Sequence, residues 1–181
     1  MAWDRLKERR EIRKLRDRVG FADTLDHELV IAAGPGNRPG ERLRAPSRSI
    51  YGTAVDGDGV RKDFIVLVGC GGSTLVGFCL GRVSEVGNTK THAKRRREEL
   101  AKQGRASLPD VGVDQVAGQV ACQLRYPEVR GMLTEWLFEH AGWLFMARVC
   151  SRHPDREQQT IARAREALST WCWLPSNEGT K

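Results

Sequence analysis

The chain has 181 residues, 40% of them apolar and 29% charged, with 30 Lys and Arg against 23 Asp and Glu and a formal net charge of +7. These proportions suit a soluble domain with one core and exclude wholesale disorder and a bundle of membrane spans. The charge is unevenly placed: Met1 to Val19 carries +4, Ala33 to Ser49 +3 and Asn88 to Arg105 +5, which leaves a mildly acidic body with basic appendages.

In chain order, the opening Met1-Ala2-Trp3-Asp4-Arg5-Leu6-Lys7 runs straight into charge and lacks the apolar core of a signal peptide, so the expected location is cytoplasmic. Residues 3–19 alternate signs at helical spacing, with a thin stripe of Ile12, Leu15 and Val19. This charged helix and its connector occupy residues 1–32. Gly34-Pro35-Gly36-Asn37-Arg38-Pro39-Gly40 then breaks regular structure, and with Arg42, Arg44 and Arg48 it predicts a basic Gly/Pro-rich loop over 33–48.

Residues 49–174 read as a single α+β domain, followed by a tail at 175–181. Strands are expected at Ile50 to Val55, Asp63 to Cys70 and Leu75 to Val83. Asp56-Gly57-Asp58-Gly59 and Gly71-Gly72-Ser73 supply the turns of this meander over 49–86. From Val86 onward the pattern predicts helices. A basic helix spans 88–105, and a helical layer spans 109–174. Within that layer Val113, Val116, Ala117, Val120 and Leu124 share one helical face, and Pro127 opens a helix carrying Val129, Met132, Leu133, Trp136, Leu137 and Leu144. Pro154, Asp155 and Glu157 open a last helix with Ile161, Ala164, Leu168, Trp171 and Cys172 inward. The expected fold class is α+β: a small antiparallel β-meander covered by a C-terminal layer of three to four helices.

Motifs for catalysis are weak. The turn Gly69 to Thr74 after an apolar strand could cradle a nucleotide phosphate if a helix followed, but Gly77 and Gly81 favour a strand there. Asp56, Asp58 and Asp63 suit turn chemistry better than a two-metal site. The cysteines, Cys70, Cys79, Cys122, Cys150 and Cys172, contain no CxxC pair, and Cys150 with His153 is a half-site without a second half, so no metal and no cofactor are expected. A helix-turn-helix is conceivable around Arg125-Tyr126-Pro127, although its turn pattern is absent. Four of the five tryptophans, Trp136, Trp143, Trp171 and Trp173, fall near the C-terminus and are expected to pack there.

The sharpest functional signal is the basic set Lys90, Lys94, Arg95, Arg96, Arg97, Lys102 and Arg105, with Arg42 and Arg44 in the loop. Such residues would contact DNA or RNA through phosphate backbones, without catalysis. The alternative is a protein-interaction module, an inhibitor or assembly factor docking on an acidic protein. A third reading is a nucleotide-binding enzyme using the glycine turn. No membrane partner is expected.

Overall fold

A computed structural model describes residues 25, 27–45, 50–55, 61–68, 74–105, 113–128 and 131–175. The elements are β1 (His27–Ile31), β2 (Glu41–Ala45), β3 (Ile50–Val55), β4 (Arg61–Val68), β5 (Thr74–Arg82), the single turn α1 (Val83–Val86) and α2 (Thr89–Lys102). They continue with β6 (Val113–Val116), β7 (Gln119–Glu128), β8 (Gly131–His140), β9 (Trp143–Ser151), α3 (Glu157–Ser169) and β10 (Cys172–Trp173). Among the described residues the strands form two antiparallel sheets, one of seven strands in the order β3-β4-β5-β9-β8-β7-β6 and one of three in the order β1-β2-β10.

This corrects the expected fold class. The structure is mostly β, and the three strands expected over 49–86 form one half of a sheet whose other half comes from residues 113–151. Where helices were expected at 114–126 and from 127 onward, four strands run up and down. The turns between them explain how. Ala117-Gly118 and Ala141-Gly142 have φ of 53° and 72°, and of 48° and 77°. Two successive residues with positive φ make the tight hairpin turn whose twist matches the flanking strands, joining Val116 to Gln119 and His140 to Trp143. Gly tolerates that region freely and Ala at some cost.

The large sheet is covered on both sides. Side chains alternate along β8, so Leu133, Glu135 and Leu137 meet α2 while Trp136 and Phe138 meet α3 and the small sheet. The main core joins Leu29, Ile31, Leu43, Trp136, Phe138, Phe145, Ala147, Ala164, Leu168 and Trp171. Phe138 stacks on Phe145 at 5.8 Å between ring centroids and meets the Trp171 ring edge-on at 5.3 Å. On the far face α2 contributes Ala93 and Leu100, against Leu124, Leu137, Tyr126 and Leu133.

Two segments differ locally from the sequence reading. Within 33–48 a strand, β2, occupies Glu41–Ala45 with alternating burial, and Arg38 lies buried beside Glu41, its guanidinium donating to the carbonyl of Ala32 at 2.9 Å. The N-terminal helix expected over 3–19 lies outside the described residues.

The His140 ring stacks on Trp173 at 4.0 Å and 5°, and burial holds its pKa below the ordinary 6.5. The unfolded chain therefore takes up a proton first as the pH falls. His140 costs stability through the window from 6.5 down to its lowered folded value, and costs nothing above 6.5. Thermal midpoints of wild type and His140→Phe should stay parallel from pH 8 to about 7 and then diverge, with the wild type falling faster. A wild type that gains on the variant as the pH drops would reverse the sign.

Candidate functional site

The basic helix α2 begins at Asn88, whose side chain accepts from the Thr91 amide at 2.9 Å, while the Thr89 amide donates to Glu139 Oε1 at 2.5 Å. This fixes which way its cations point. Lys90, Lys94, Arg95 and Lys102 are exposed, and Arg97 is half-buried. Arg105, just past the helix, donates to Glu128 at 2.7 Å. Arg95 contacts the His92 ring at 3.2 Å. Burial first, and then the Arg95 charge, pull the His92 pKa down.

Arg96 points the other way. It sits between Ala93 and Leu100 on the inner face and reaches a carboxylate at the sheet centre, Glu135, which is 0% exposed. Arg96 Nη2 donates to Tyr126 Oη at 2.7 Å and lies 3.4 Å from Glu135 Oε1, and Tyr126 donates to the same oxygen at 2.6 Å. The guanidinium also lies over the Tyr126 ring, 5.3 Å from its centroid. Burial would lower the Arg96 pKa, but Glu135 and Tyr126 outweigh it and hold it above the ordinary value. Burial, and then Glu135, push the Tyr126 hydroxyl up. Arg96 stays a cation and Tyr126 stays a donor at neutral pH, so the triad is an internal clamp. Tyr126 and Glu135 drew no attention in the sequence. The available signal was an acid inside the apolar run Met132 to Phe138, which must find a cation if that run is buried.

Arg42 and Arg44 are on the opposite side of the molecule, on the outward face of the small sheet, because Glu41, Leu43 and Ala45 point inward. Register sets Val30 beside Arg42 and Glu28 beside Arg44. Val30 is 55% exposed, and Arg42 Nε reaches Cys172 Sγ at 3.1 Å on the third strand. β1 pairs on one side only, with β2, among the described residues. The nine basic residues singled out in the sequence therefore fall on two surfaces separated by the large sheet, with Arg96 turned inward.

Other sequence motifs resolve differently. Residues 69–73 and the turn residues Asp56 and Asp58 lie outside the described residues, while Asp63 is on β4. The described chain that follows the glycine-rich segment is the strand β5, antiparallel to β4, where a phosphate cradle would need the start of a helix. Among the described residues between 114 and 137 the elements are the strands β6, β7 and β8, which removes the helix-turn-helix. Among the described residues no group of three or more His, Cys, Asp or Glu is placed to hold a metal ion.

No protein-family model matches the chain, and no curated protein matches its sequence. Eight chains of known structure do match. One is the solution structure of cyanobacterial PsbP (CyanoP) from Synechocystis sp. PCC 6803, 17% identical, over 87% of this chain and 96% of that one, with a TM-score of 0.52. The chain has a PsbP-like fold. Another match is LpqN of Mycobacterium tuberculosis, involved in cell envelope biogenesis, 14% identical over 82% of this chain and 91% of that one, with a TM-score of 0.41. The PsbP-like fold replaces the helix-covered meander expected from the sequence. The cytoplasmic placement expected from the sequence is given up, since the fold is that of a PsbP. Among the described residues of the PsbP-like fold no helix is long and apolar enough to cross a membrane.

Proposed function

We propose that this chain is a non-catalytic protein-interaction module, an inhibitor or assembly factor that docks on an acidic protein through the outward face of its small sheet. The observation that carries this reading is the patch in which Val30, 55% exposed, lies in register with Arg42, beside Arg44 on the same strand. An apolar residue framed by guanidinium groups suits a protein interface, where Arg combines apolar contact with bidentate hydrogen bonds to carboxylates. A phosphate-contacting surface has less use for the valine. Among the described residues β2 is the one strand that pairs with β1, and the other side of β1 adds a row of backbone groups that a partner strand can extend. Lys90, Lys94, Arg95 and Lys102 form a second basic face on α2, on the other side of the large sheet.

The test is affinity capture and cross-linking with the full chain, wild type against Arg42→Glu/Arg44→Glu. An acidic protein should be retained by the wild type. Its affinity should fall about tenfold to a hundredfold in the variant, the size of one or two lost charge-assisted hydrogen bonds. Tighter binding of duplex or single-stranded nucleic acid than of any protein, with a steep salt slope that flattens in Lys94→Ala/Arg95→Ala, would overturn the reading in favour of phosphate contacts by α2.

A further inference from the structure

The outward side of α2 carries cations that no acidic group among the described residues pairs with: Lys90, Lys94, Arg95 and Lys102, all exposed. Arg95 contacts the His92 ring, itself no anion, at 3.2 Å. At about 100° per residue the four fall within an arc of about 140° and extend over about 18 Å of helix. Ala93, Arg96 and Leu100 occupy the opposite, inner side, and the bonds of Arg96 to Tyr126 and Glu135 fix the helix in that rotation. Glu98 is exposed within the same arc, so the face carries four positive charges and one negative, a net of +3.

The kind of cation separates this face from the small-sheet patch. The chain has 23 Arg and 7 Lys, yet three of the four exposed cations here are Lys, whereas the small sheet presents Arg42 and Arg44 around Val30. Protein interfaces are enriched in Arg and aromatic residues and depleted of Lys. Between the cations of α2 stand Thr91, Glu98 and Ala101, so the face has no anchor for a protein pocket and no large apolar side chain to enter hydrocarbon. A duplex backbone holds its phosphates at fixed positions and rewards the bidentate fork of Arg. Lys is a compact point charge on a flexible stem, which suits an anionic surface whose charged groups move laterally.

We propose that the outward face of α2 rests on an anionic phospholipid surface. Lys90, Lys94, Arg95 and Lys102 lie among the headgroups, and the contact is electrostatic, shallow and reversible. It needs no spanning segment, and among the described residues no helix is long and apolar enough to be one. With α2 against the bilayer, the small sheet lies on the far side of the large sheet and faces away, which leaves Arg42 and Arg44 accessible. This contact is independent of the small-sheet patch and stands whether or not that patch binds a protein.

Flotation of the full chain with vesicles of mixed phosphatidylglycerol and phosphatidylcholine, against vesicles of phosphatidylcholine alone, tests the proposal. At about 0.1 M salt the wild type should float with the mixed vesicles and not with the neutral ones, and about 1 M salt should release it. Lys90→Glu/Lys94→Glu and Arg42→Glu/Arg44→Glu change the net charge equally, so the pair separates the place of the charge from its total. The first should weaken vesicle binding about tenfold or more. The second should weaken it less than about threefold, because its site stands two packed layers, roughly 20 Å, from the bilayer and is screened. Both should keep the wild-type thermal midpoint, since all four side chains are exposed; Lys94→Gln/Lys102→Gln, which adds no acid, serves should the first fold poorly. No binding to mixed vesicles, equal binding to neutral ones, equal loss in the two charge-reversed variants, or tighter binding of duplex DNA than of mixed vesicles would overturn it.

Discussion

Replacing Arg96 with alanine should destabilise the fold by about 3–5 kcal/mol, whereas the same change at Arg95, one residue away, should cost less than about 0.5 kcal/mol. In sequence the two are interchangeable members of one basic run. In the structure Arg95 is exposed, while Arg96 faces a carboxylate that no water reaches, Glu135 at 0% exposure. Removing Arg96 leaves that carboxylate with Tyr126 as its remaining hydrogen-bond donor in the triad. The Arg96 side chain is itself 27% exposed, so water can enter the gap and the lower end of the range is the better expectation. The pair as a whole need not be stabilising, because burying two charges costs about as much as their attraction returns. Arg96→Met/Glu135→Leu should therefore recover most of what Arg96→Ala loses. Denaturant unfolding of the three variants would show it as shifts of the midpoint at constant slope. Equal midpoints for Arg95→Ala and Arg96→Ala would remove the clamp from the account.

The same triad explains what the sequence could and could not reveal. The expected helix over 88–105 and the structure's α2 at Thr89–Lys102 coincide, yet its apolar stripe looked too thin to hold it against anything. Docking rests on Ala93 and Leu100 flanking a polar centre, and a polar centre is invisible until its partner strand is known. The strands at 50–55, 61–68 and 74–82 were legible from their apolar runs and glycine turns, and α3 from Pro154, Asp155 and Glu157. Residues 113–151 were misread for two reasons. Between helices and small sheet on either side, Leu133 to Phe138 is buried without interruption, so the period of two that marks a half-exposed strand is erased. The segment is also rich in Leu, Met, Ala and Glu and poor in β-branched residues, a composition that favours helix until tertiary pairing overrides it. Ala-Gly hairpin turns then hid the boundaries that Asn-Gly or Asp-Gly would have announced.

The two basic surfaces have a consequence for mechanism. A single duplex lying along α2 could not also meet Arg42 and Arg44, because the large sheet stands between them. The small-sheet patch has one face to offer, and its charge is partly offset by Glu28 beside Arg44. For the proposed acidic partner this favours recognition by shape and a few carboxylates over recognition by total charge, and the expected affinity is less steep in salt than for a phosphate backbone.

Trp136→Ala should cost about 3–5 kcal/mol, the loss of a large buried side chain and the cavity it leaves. Trp136 is 0% exposed in the main core, and it also fixes an edge of the sheet, because its Nε1 donates to Asp114 Oδ2 at 2.8 Å. The same oxygen accepts from Arg165 of α3, so one carboxylate of β6 ties the core tryptophan to that helix. β6 has only four residues and β7 as its neighbour, so its stability depends on that tie more than on its own ladder. Trp136→Phe separates the two roles. It keeps most of the ring and removes the donor, and should cost about 1.5–3 kcal/mol, the range for a hydrogen bond to a charged group. Amide exchange should then quicken selectively in β6 for Trp136→Phe, and throughout the large sheet for Trp136→Ala. Against a total stability of about 5–15 kcal/mol, the alanine variant should unfold at markedly lower denaturant. A loss below about 1 kcal/mol for Trp136→Ala would mean that β8 is not the centre of the core, and the two-sided covering of the sheet would have to be abandoned with it.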